Sequence, residues 1–262
     1  ANLDIAEKRL PQDGRIFFNQ EKSKFDIRVS ILPSLHGEKA VLRLLSNDAA
    51  NIDINSLGFA KNELDDYLEG IKKPHGIILI SGPTGSGKTT TLYATLKLLN
   101  KTTNNILTIE DPIEYTLEGV NQVQLKESIG LTFASALRTF LRQDPDIIML
   151  GEIRDGETAQ MAIRAALTGH LVLSTIHTNS AWGTISRLID MGVPPFLAAN
   201  TLNTSVAQRL IRLLCPYCKE EQPFSSHLFP KSFVPQKQLH LHYTAKGCEY
   251  CYYTGYKGRK AI

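Results

Sequence analysis

Residues 82–89 read Gly-Pro-Thr-Gly-Ser-Gly-Lys-Thr, which is the phosphate-binding loop pattern G-x-x-x-x-G-K-[ST] without a departure. Glycines let such a loop curl until successive backbone N–H groups point inward at a phosphate, and the dipole of the following helix strengthens the attraction. The pattern predicts a nucleoside triphosphate site, with Lys88 on the β- and γ-phosphates and the Thr89 hydroxyl on Mg²⁺. The predicted nucleotide contacts are Gly82, Pro83, Thr84, Gly85, Ser86, Gly87, Lys88, Thr89 and Thr90.

The segments that flank this loop have the composition that the motif requires. Residues 76–81 are a short apolar run rich in β-branched side chains, as in a buried parallel strand, and residues 90–100 place leucines at helical spacing. Three further buried strands and two helices are predicted over 106–109, 147–150, 171–176, and over 133–142 and 158–167. Because strands alternate with helices, we expect an α/β fold, a RecA-like core whose largely parallel sheet is covered by helices.

The chain divides into parts of different character. Alternating apolar and polar residues near the start predict strands of a small sheet, joined by turns at Gly14 and Gly37. Position 1 is not Met and the last residues open a strand, so we expect a section of a longer protein. The predicted parts are a fragment of a small α+β domain (1–46), a linker (47–58), the nucleotide-binding domain (59–204) and a C-terminal region with a metal-binding subdomain (205–262).

Composition excludes several classes of protein. Of the 262 residues 42% are hydrophobic, which is enough to build packed cores and excludes a disordered chain. The net charge of +3 lacks the strong positive excess of a dedicated nucleic-acid binder. No apolar run has the length of a membrane span, and the first residues do not resemble a signal peptide. We therefore expect a cytoplasmic protein that does not insert into the membrane.

Acidic and polar residues follow three of the predicted strands, at the edge where ligands of parallel sheets bind. These segments begin at Glu110, Gly151 and His177. A carboxylate there can hold Mg²⁺ or orient the attacking water, although each acid taken alone also fits a solvated loop residue or a helix cap. Asp146 precedes its strand, so Glu152, which follows it, is the better candidate for the Mg²⁺ site.

All four cysteines fall into two C-x-x-C pairs, Cys215 with Cys218 and Cys248 with Cys251. Two such pairs fit a tetrahedral Zn²⁺ site, and because four protein ligands leave no open position, the ion is expected to be structural. Disulfides are the main alternative and are disfavoured because nothing indicates export to an oxidising compartment. A redox C-x-x-C is disfavoured because the two pairs suggest one shared site.

Together these motifs resemble the type II secretion and type IV pilus assembly ATPases, the GspE/PilB group of P-loop motors, over essentially the whole chain. Residues 9–15 with 36–45 are similar to the end of that family's PAS-like N-terminal domain. The remaining motifs are similar to the family's Asp box (108–114), atypical Walker B region (137–155), His box (168–179) and tetracysteine element.

The resemblance implies a cytoplasmic homohexamer that hydrolyses ATP with Mg²⁺ between its N-terminal and motor domains. Arginines of the N-terminal domain are expected to close over the phosphates, with motor-domain arginines at the same site. Glu114 matches the proposed catalytic glutamate and Glu152 the Walker B acid, while His177 also fits a core histidine. The residues expected in catalysis are Lys88, Glu114, Glu152, His177, Arg15, Arg28, Arg138 and Arg142.

The implied function is assembly of a type II secretion pseudopilus or a type IV pilus at the inner membrane, and the sequence does not choose between the two. The tetracysteine element favours the assembly branch, because retraction relatives generally lack it. Expected partners are the inner-membrane platform and cytoplasmic adaptor proteins, through which the protein would associate peripherally with the membrane, without nucleic acid. The alternatives are a RecA-like nucleic-acid translocase or packaging motor, with the cysteines as a DNA-binding knuckle, and a nucleotide-dependent scaffold without hydrolysis.

Overall fold

The computed structural model describes residues 1, 3–20, 23–46, 53–230, 232–234 and 239–262. The α-helices are α1 (Lys61–Ile71), α2 (Lys88–Leu99), α3 (Phe133–Phe140), α4 (Gly156–Leu167), α5 (Ala181–Asp190) and α6 (Pro195–Thr201). The strands are β1 (Gln12–Gln20), β2 (Ser23–Ser34), β3 (Gly37–Ser46), β4 (Gly76–Ser81), β5 (Ile106–Glu110), β6 (Asn121–Gln124), β7 (Ile147–Leu150), β8 (Leu171–Ile176), β9 (Leu202–Ala207), β10 (Leu210–Leu214), β11 (Lys219–Pro223), β12 (Leu241–Ala245) and β13 (Tyr256–Ala261).

A parallel sheet of strand order β6-β5-β7-β8-β4-β9 forms the centre of the largest part of the chain. The four inner strands are buried along their whole length, which explains why each reads as an uninterrupted apolar run. The edge strands β6 and β9 were not predicted, because they are only partly buried and their sequences are largely polar. Strand β9 ends at Ala207, so the sheet extends three residues beyond residue 204, the predicted end of the nucleotide-binding domain.

Helices cover both faces of this sheet, which confirms the predicted α/β architecture. On one face α3 and α4 pack with Leu137 and Ala162 against the strands. On the other face α1 and α2 contribute Tyr67 and Leu92 to a second cluster. The Tyr67 hydroxyl is 2.7 Å from the Thr95 hydroxyl, so the one polar atom of this buried ring has a partner.

The N-terminal strands β1, β2 and β3 form an antiparallel sheet of their own. Gly37 lies at the β2–β3 turn as predicted, with a left-handed φ of +120°. The predicted turn at Gly14 is wrong: β1 begins at Gln12, and Gly14 lies inside it opposite Val29. Of the predicted linker 47–58, residues 47–52 lie outside the described residues, and residues 53–58 contain a short 3-10 turn at Ile54–Ser56.

The C-terminal region contains two small antiparallel pairs, β10 with β13 and β11 with β12. Strand β13 contacts the segment that precedes α1, because the Ala261 N–H donates to the Leu57 carbonyl oxygen at 3.0 Å. Among the described residues, none of the helices combines the length and the apolar character needed to cross a bilayer.

Candidate functional site

The motif 82–89 lies between β4 and α2 at the carboxyl end of the sheet. Residues 82–87 form the loop, and Lys88 and Thr89 begin α2. Gly82, Gly85 and Gly87 have φ values of +141°, +78° and +87°, a left-handed region that L side chains rarely adopt. Space is restricted as well, because a Cβ on Gly82 would lie 2.4 Å from the Gln208 carbonyl oxygen and one on Gly87 would lie 2.8 Å from the Gln208 side-chain nitrogen. Backbone shape therefore favours glycine at all three positions, and packing adds to this at Gly82 and Gly87.

A cavity of 530 Å³ opens above this loop and collects the ends of the neighbouring strands. Residues 84–90 of the predicted nucleotide contacts line it, and the predicted catalytic residues Glu114, Glu152 and His177 lie on its walls. Gly82 and Pro83 do not line the cavity; their backbone carbonyl oxygens accept hydrogen bonds from Lys88. The structure thus brings together groups that are far apart in sequence, as the strand-end argument predicts.

Lys88 is held at the floor of the cavity by backbone acceptors. Its Nζ donates to the carbonyl oxygens of Gly82 at 2.9 Å and Pro83 at 3.1 Å. Partial burial lowers the pKa of Lys88, while the negative charge of Glu152 acts in the opposite direction. A partly desolvated ammonium beside neutral oxygens interacts more strongly with an incoming phosphate than with these acceptors.

Glu152 stands in a chain of charged contacts across the cavity. Its Oε2 is 2.9 Å from the His177 Nε2, its Oε1 accepts from the Arg154 Nη2 at 2.5 Å, and the same Nη2 is 3.2 Å from the Asp111 Oδ2. Burial by itself would raise the pKa of Glu152, but Arg154 and His177 outweigh it, so the net pKa is below the ordinary value. Glu152 is therefore an ionised carboxylate on the cavity wall, which is the form that can bind a metal cation.

Two other polar residues, Asp146 and His170, lie at the amino ends of the strands, away from the cavity. Asp146 precedes β7 and its Oδ2 accepts from the backbone N–H of Asn105 at 2.7 Å. His170 precedes β8 and its Nδ1 lies 2.9 Å from the Ala165 carbonyl oxygen at the end of α4. Both make local structural contacts, and the preference for Glu152 over Asp146 agrees with this placement.

Glu110 is a buried carboxylate in the wall of the cavity. It accepts from the Thr108 hydroxyl at 2.6 Å, from the Gln122 side-chain amide at 3.0 Å and from the Tyr93 hydroxyl. Burial and the charge of Glu110 raise the pKa of Tyr93, which therefore stays protonated as a donor. The Tyr93 oxygen also accepts from the Glu114 N–H at 3.3 Å, so this network fixes the loop that carries Glu114.

Three arginines form a row across the N-terminal sheet, because Arg15 pairs with Arg28 and Arg28 with Arg43 in the strand register. Arg15 donates to the carbonyl oxygens of Ile113 at 3.0 Å and Glu114 at 3.1 Å. Arg28 donates to the Glu114 carboxylate at 2.5 Å, and Arg43 lines the cavity. Like charges opposite one another on neighbouring strands are destabilising, so an anion beside Arg43 would stabilise the row. The predicted Arg15 and Arg28 line a neighbouring cavity and not the P-loop cavity itself.

The other predicted arginines lie elsewhere in the chain. Arg138 pairs with Glu157, and the Arg142 side chain donates to the Arg138 carbonyl oxygen at 3.1 Å, so the structure brings neither into this cavity. The cavity instead receives Arg43 and, from β13, Arg259. Arg259 was not predicted, because within residues 257–260 it resembles a solvated basic segment.

The four cysteine side chains converge on one point in the C-terminal region. All four Sγ atoms lie within 4.8 Å of one another, and the Sγ–Sγ distances are 3.9 Å for Cys215–Cys248, 3.7 Å for Cys218–Cys251 and 3.8 Å for Cys248–Cys251. Zn–S bonds of about 2.3 Å in a tetrahedron imply Sγ–Sγ edges of about 3.8 Å, so the cluster has the dimensions of a Zn²⁺ site. Disulfide sulfurs would be about 2.05 Å apart. Backbone N–H groups of Gly247, Cys248 and Gly255 donate to these sulfurs at 3.3, 3.2 and 3.2 Å.

Comparison with protein families gives one match over the whole chain: the family described as "Type II/IV secretion system protein" matches residues 1–262. The type II secretion system protein E of Pseudomonas aeruginosa is 53% identical over 265 residues, covering 100% of this chain and 52% of that relative. The type IV pilus assembly ATPase PilB of Myxococcus xanthus is 53% identical over 266 residues, covering 100% of this chain and 47% of the relative. The chain thus spans about half the length of the curated relatives it matches.

A similar fold occurs among solved structures. The pilus retraction motor PilT, solved with bound ADP, superposes with a TM-score of 0.67 and 36% sequence identity, covering 77% of this chain and 59% of that one. The predicted P-loop core and the predicted resemblance are therefore confirmed.

Proposed function

The chain belongs to the type II/IV secretion system protein family, and from this premise we propose that it binds ATP with Mg²⁺ and hydrolyses it to drive assembly of a type II secretion pseudopilus or a type IV pilus. One observation carries the proposal: Lys88, Glu114 and Glu152 meet at one cavity that also receives Arg43 and Arg259. Such a set of groups can bind a triphosphate, a cation and an attacking water together.

Triphosphate binding follows from the loop and its lysine. Backbone N–H groups of residues 85–89 would surround the β-phosphate, and the Lys88 ammonium would leave its carbonyl acceptors for the β- and γ-phosphate oxygens. The residues that would hold Mg²⁺ are Thr89 through its hydroxyl and Glu152 through its ionised carboxylate, directly or through water. When bound, the cation neutralises charge on the β- and γ-phosphate oxygens.

Hydrolysis then requires a base and a stabiliser of the developing charge. In our proposal Glu114 accepts a proton from water as the water oxygen attacks the γ-phosphorus, and the bond to the β,γ-bridging oxygen breaks to release ADP. Arg28 sets the position of the Glu114 carboxylate at 2.5 Å. Arg43 and Arg259 would stabilise the negative charge on the transferring phosphoryl group.

Further parts of the proposal concern the metal and the assembly. Cys215, Cys218, Cys248 and Cys251 would hold one structural Zn²⁺, supported by their separations and by the N–H donors to their sulfurs. We also propose a homohexamer that works at the cytoplasmic side of the inner membrane through platform and adaptor proteins. The identity of 53% over the whole of this chain to a type II secretion protein and to a type IV pilus assembly ATPase supports this part of the proposal.

The Lys88→Ala variant tests nucleotide binding. We expect it to lose tight ADP binding by isothermal titration and to lose ATP turnover, because it removes the one side-chain cation that belongs to the loop. Lys97→Ala, on the exposed side of the same helix, is the matched control and should behave as the wild type. Unchanged affinity and turnover in Lys88→Ala would refute the proposal. Turnover stimulated by single-stranded DNA would instead favour a translocase.

A further inference from the structure

Gln208 is the residue that follows β9, and it is buried against the back of the P-loop with 1% of its surface exposed. Its side-chain Nε2 donates to the Ser86 carbonyl oxygen at 2.8 Å, and its Oε1 accepts from the Thr91 hydroxyl at 2.8 Å. Its backbone N–H donates to the Ser81 carbonyl oxygen at 2.9 Å. One residue thus contacts the strand before the loop, the loop itself and the helix after it.

These contacts determine how peptide planes of the loop are oriented. In a trans peptide the carbonyl and the N–H of the same plane point in opposite directions. Because Gln208 holds the Ser86 carbonyl, the N–H of Gly87 in that plane must point away from Gln208, and Gly87 lines the nucleotide cavity. The backbone N–H of Gln208 likewise holds the Ser81 carbonyl, so the Gly82 N–H of that peptide plane also points away from Gln208. Gln208 therefore orients backbone donors without itself facing the cavity.

The packing is as specific as the hydrogen bonding. Gln208 approaches Gly82 and Gly87 so closely that neither position has room for a Cβ. The Ser86 carbonyl oxygen can only accept, so the side-chain nitrogen of Gln208 must face Ser86 and its oxygen faces the Thr91 hydroxyl, which donates to it. The next residue, Arg209, exchanges backbone hydrogen bonds of 2.9 and 3.0 Å with Ile262, which ties this segment to the end of β13.

We propose that Gln208 is a positioning residue for nucleotide binding, which holds the P-loop in the conformation that receives the β-phosphate. The proposal rests on the proposed function. We expect its effect on the phosphate part of the ligand, because the cavity-lining residues that Gln208 contacts, Ser86 and Gly87, belong to the loop that would surround the phosphates. A residue needed only for folding would affect all ligands equally.

The experiment compares ADP with AMP, which lacks the β-phosphate, by titration calorimetry and competition on the full chain. Gln208→Glu keeps the shape and the acceptor for Thr91 but replaces the donor to Ser86 with an oxygen. We expect the affinity for ADP to fall about tenfold or more, from loss of a buried hydrogen bond, and that for AMP to change less than about twofold. Gln160→Glu, an exposed site on α4, introduces the same charge as the matched control.

A second variant covers the case in which Gln208→Glu does not fold. Thr91→Val keeps the β-branched shape and removes the hydroxyl that donates to the Gln208 side-chain oxygen. It should also weaken ADP more than AMP, and thermal unfolding monitors the integrity of each variant.

ADP affinity within about twofold of the wild type in folded Gln208→Glu, or equal losses for ADP and AMP, would overturn the proposal. If Gln208→Glu does not fold, Thr91→Val decides by the same criteria. Lys88→Ala distinguishes failure of the Gln208 role from failure of the proposed function. If Lys88→Ala loses ADP binding while the Gln208 and Thr91 variants keep it, the proposed function stands and the role of Gln208 is wrong. If Lys88→Ala binds ADP normally, the proposed function itself fails.

Discussion

Replacing Glu114 by Gln should reduce ATP turnover while leaving nucleotide binding and folding nearly intact. The substitution keeps the size and hydrogen-bonding shape of the side chain and removes its ability to accept a proton from water. The backbone of this loop is held independently, since Arg15 binds the carbonyl oxygens of Ile113 and Glu114 and the Tyr93 oxygen accepts from the Glu114 N–H. The loop should therefore keep its position in the variant.

The expected magnitudes separate a catalytic role from a structural one. Loss of a positioned general base lowers turnover by about 10² or more, which is about 3 kcal/mol or more in activation free energy. The same change also weakens the ion pair with Arg28, whose partners are 26% and 32% exposed. Partly solvated pairs of this kind contribute about 1 kcal/mol or less to stability. The kinetic effect should clearly exceed the change in the free energy of unfolding.

Steady-state phosphate release at saturating ATP and Mg²⁺ measures the turnover, and titration with ADP measures the binding. Glu118→Gln is the matched control, because it makes the same change at an exposed position a few residues further along the same segment. Turnover of Glu114→Gln within about threefold of the wild type, where a base is worth about 10² or more, would refute the assignment. Glu152 would then be the next candidate for the base.

Three more outcomes can be checked. Arg259→Ala should lower kcat about tenfold or more with a smaller change in KM, whereas Lys260→Ala should not; equal kinetics of the two variants would contradict a role at the phosphates. The pKa of Glu152 is lowered in the folded state, so its stabilising contribution is complete above the ordinary carboxyl pKa of about 4.3 and is lost as pH falls through the lower folded value. The difference in unfolding free energy between wild type and Glu152→Gln should therefore shrink on acidification, and a difference independent of pH would contradict this. Elemental analysis should find about one zinc per chain, with none in Cys251→Ser, and zinc-free protein containing two disulfides would exclude the site.

Local sequence was enough to predict the parts of this protein whose structure depends on near neighbours. The glycine loop, the apolar strands and the cysteine pairs each follow from spacing within a few residues, because backbone conformation and ligand geometry are set at that range. The placement of Glu114 and Glu152 at one cavity also follows, since the carboxyl ends of parallel strands meet at one edge. Edge strands such as β9 escaped prediction because half-exposed strands need no apolar run.

Contacts between distant segments were decided only by the tertiary structure. Arg15, Arg28 and Arg43 all belong to predicted strands, but only the register of the antiparallel sheet places them in one row, with Arg43 nearest the P-loop cavity. Gln208 lies more than a hundred residues from the loop that it supports and follows a strand with no strong pattern. The physical reason is the same in both cases: a single polar residue leaves no periodic signal, and its partners are fixed by how the sheets and the chain ends pack together.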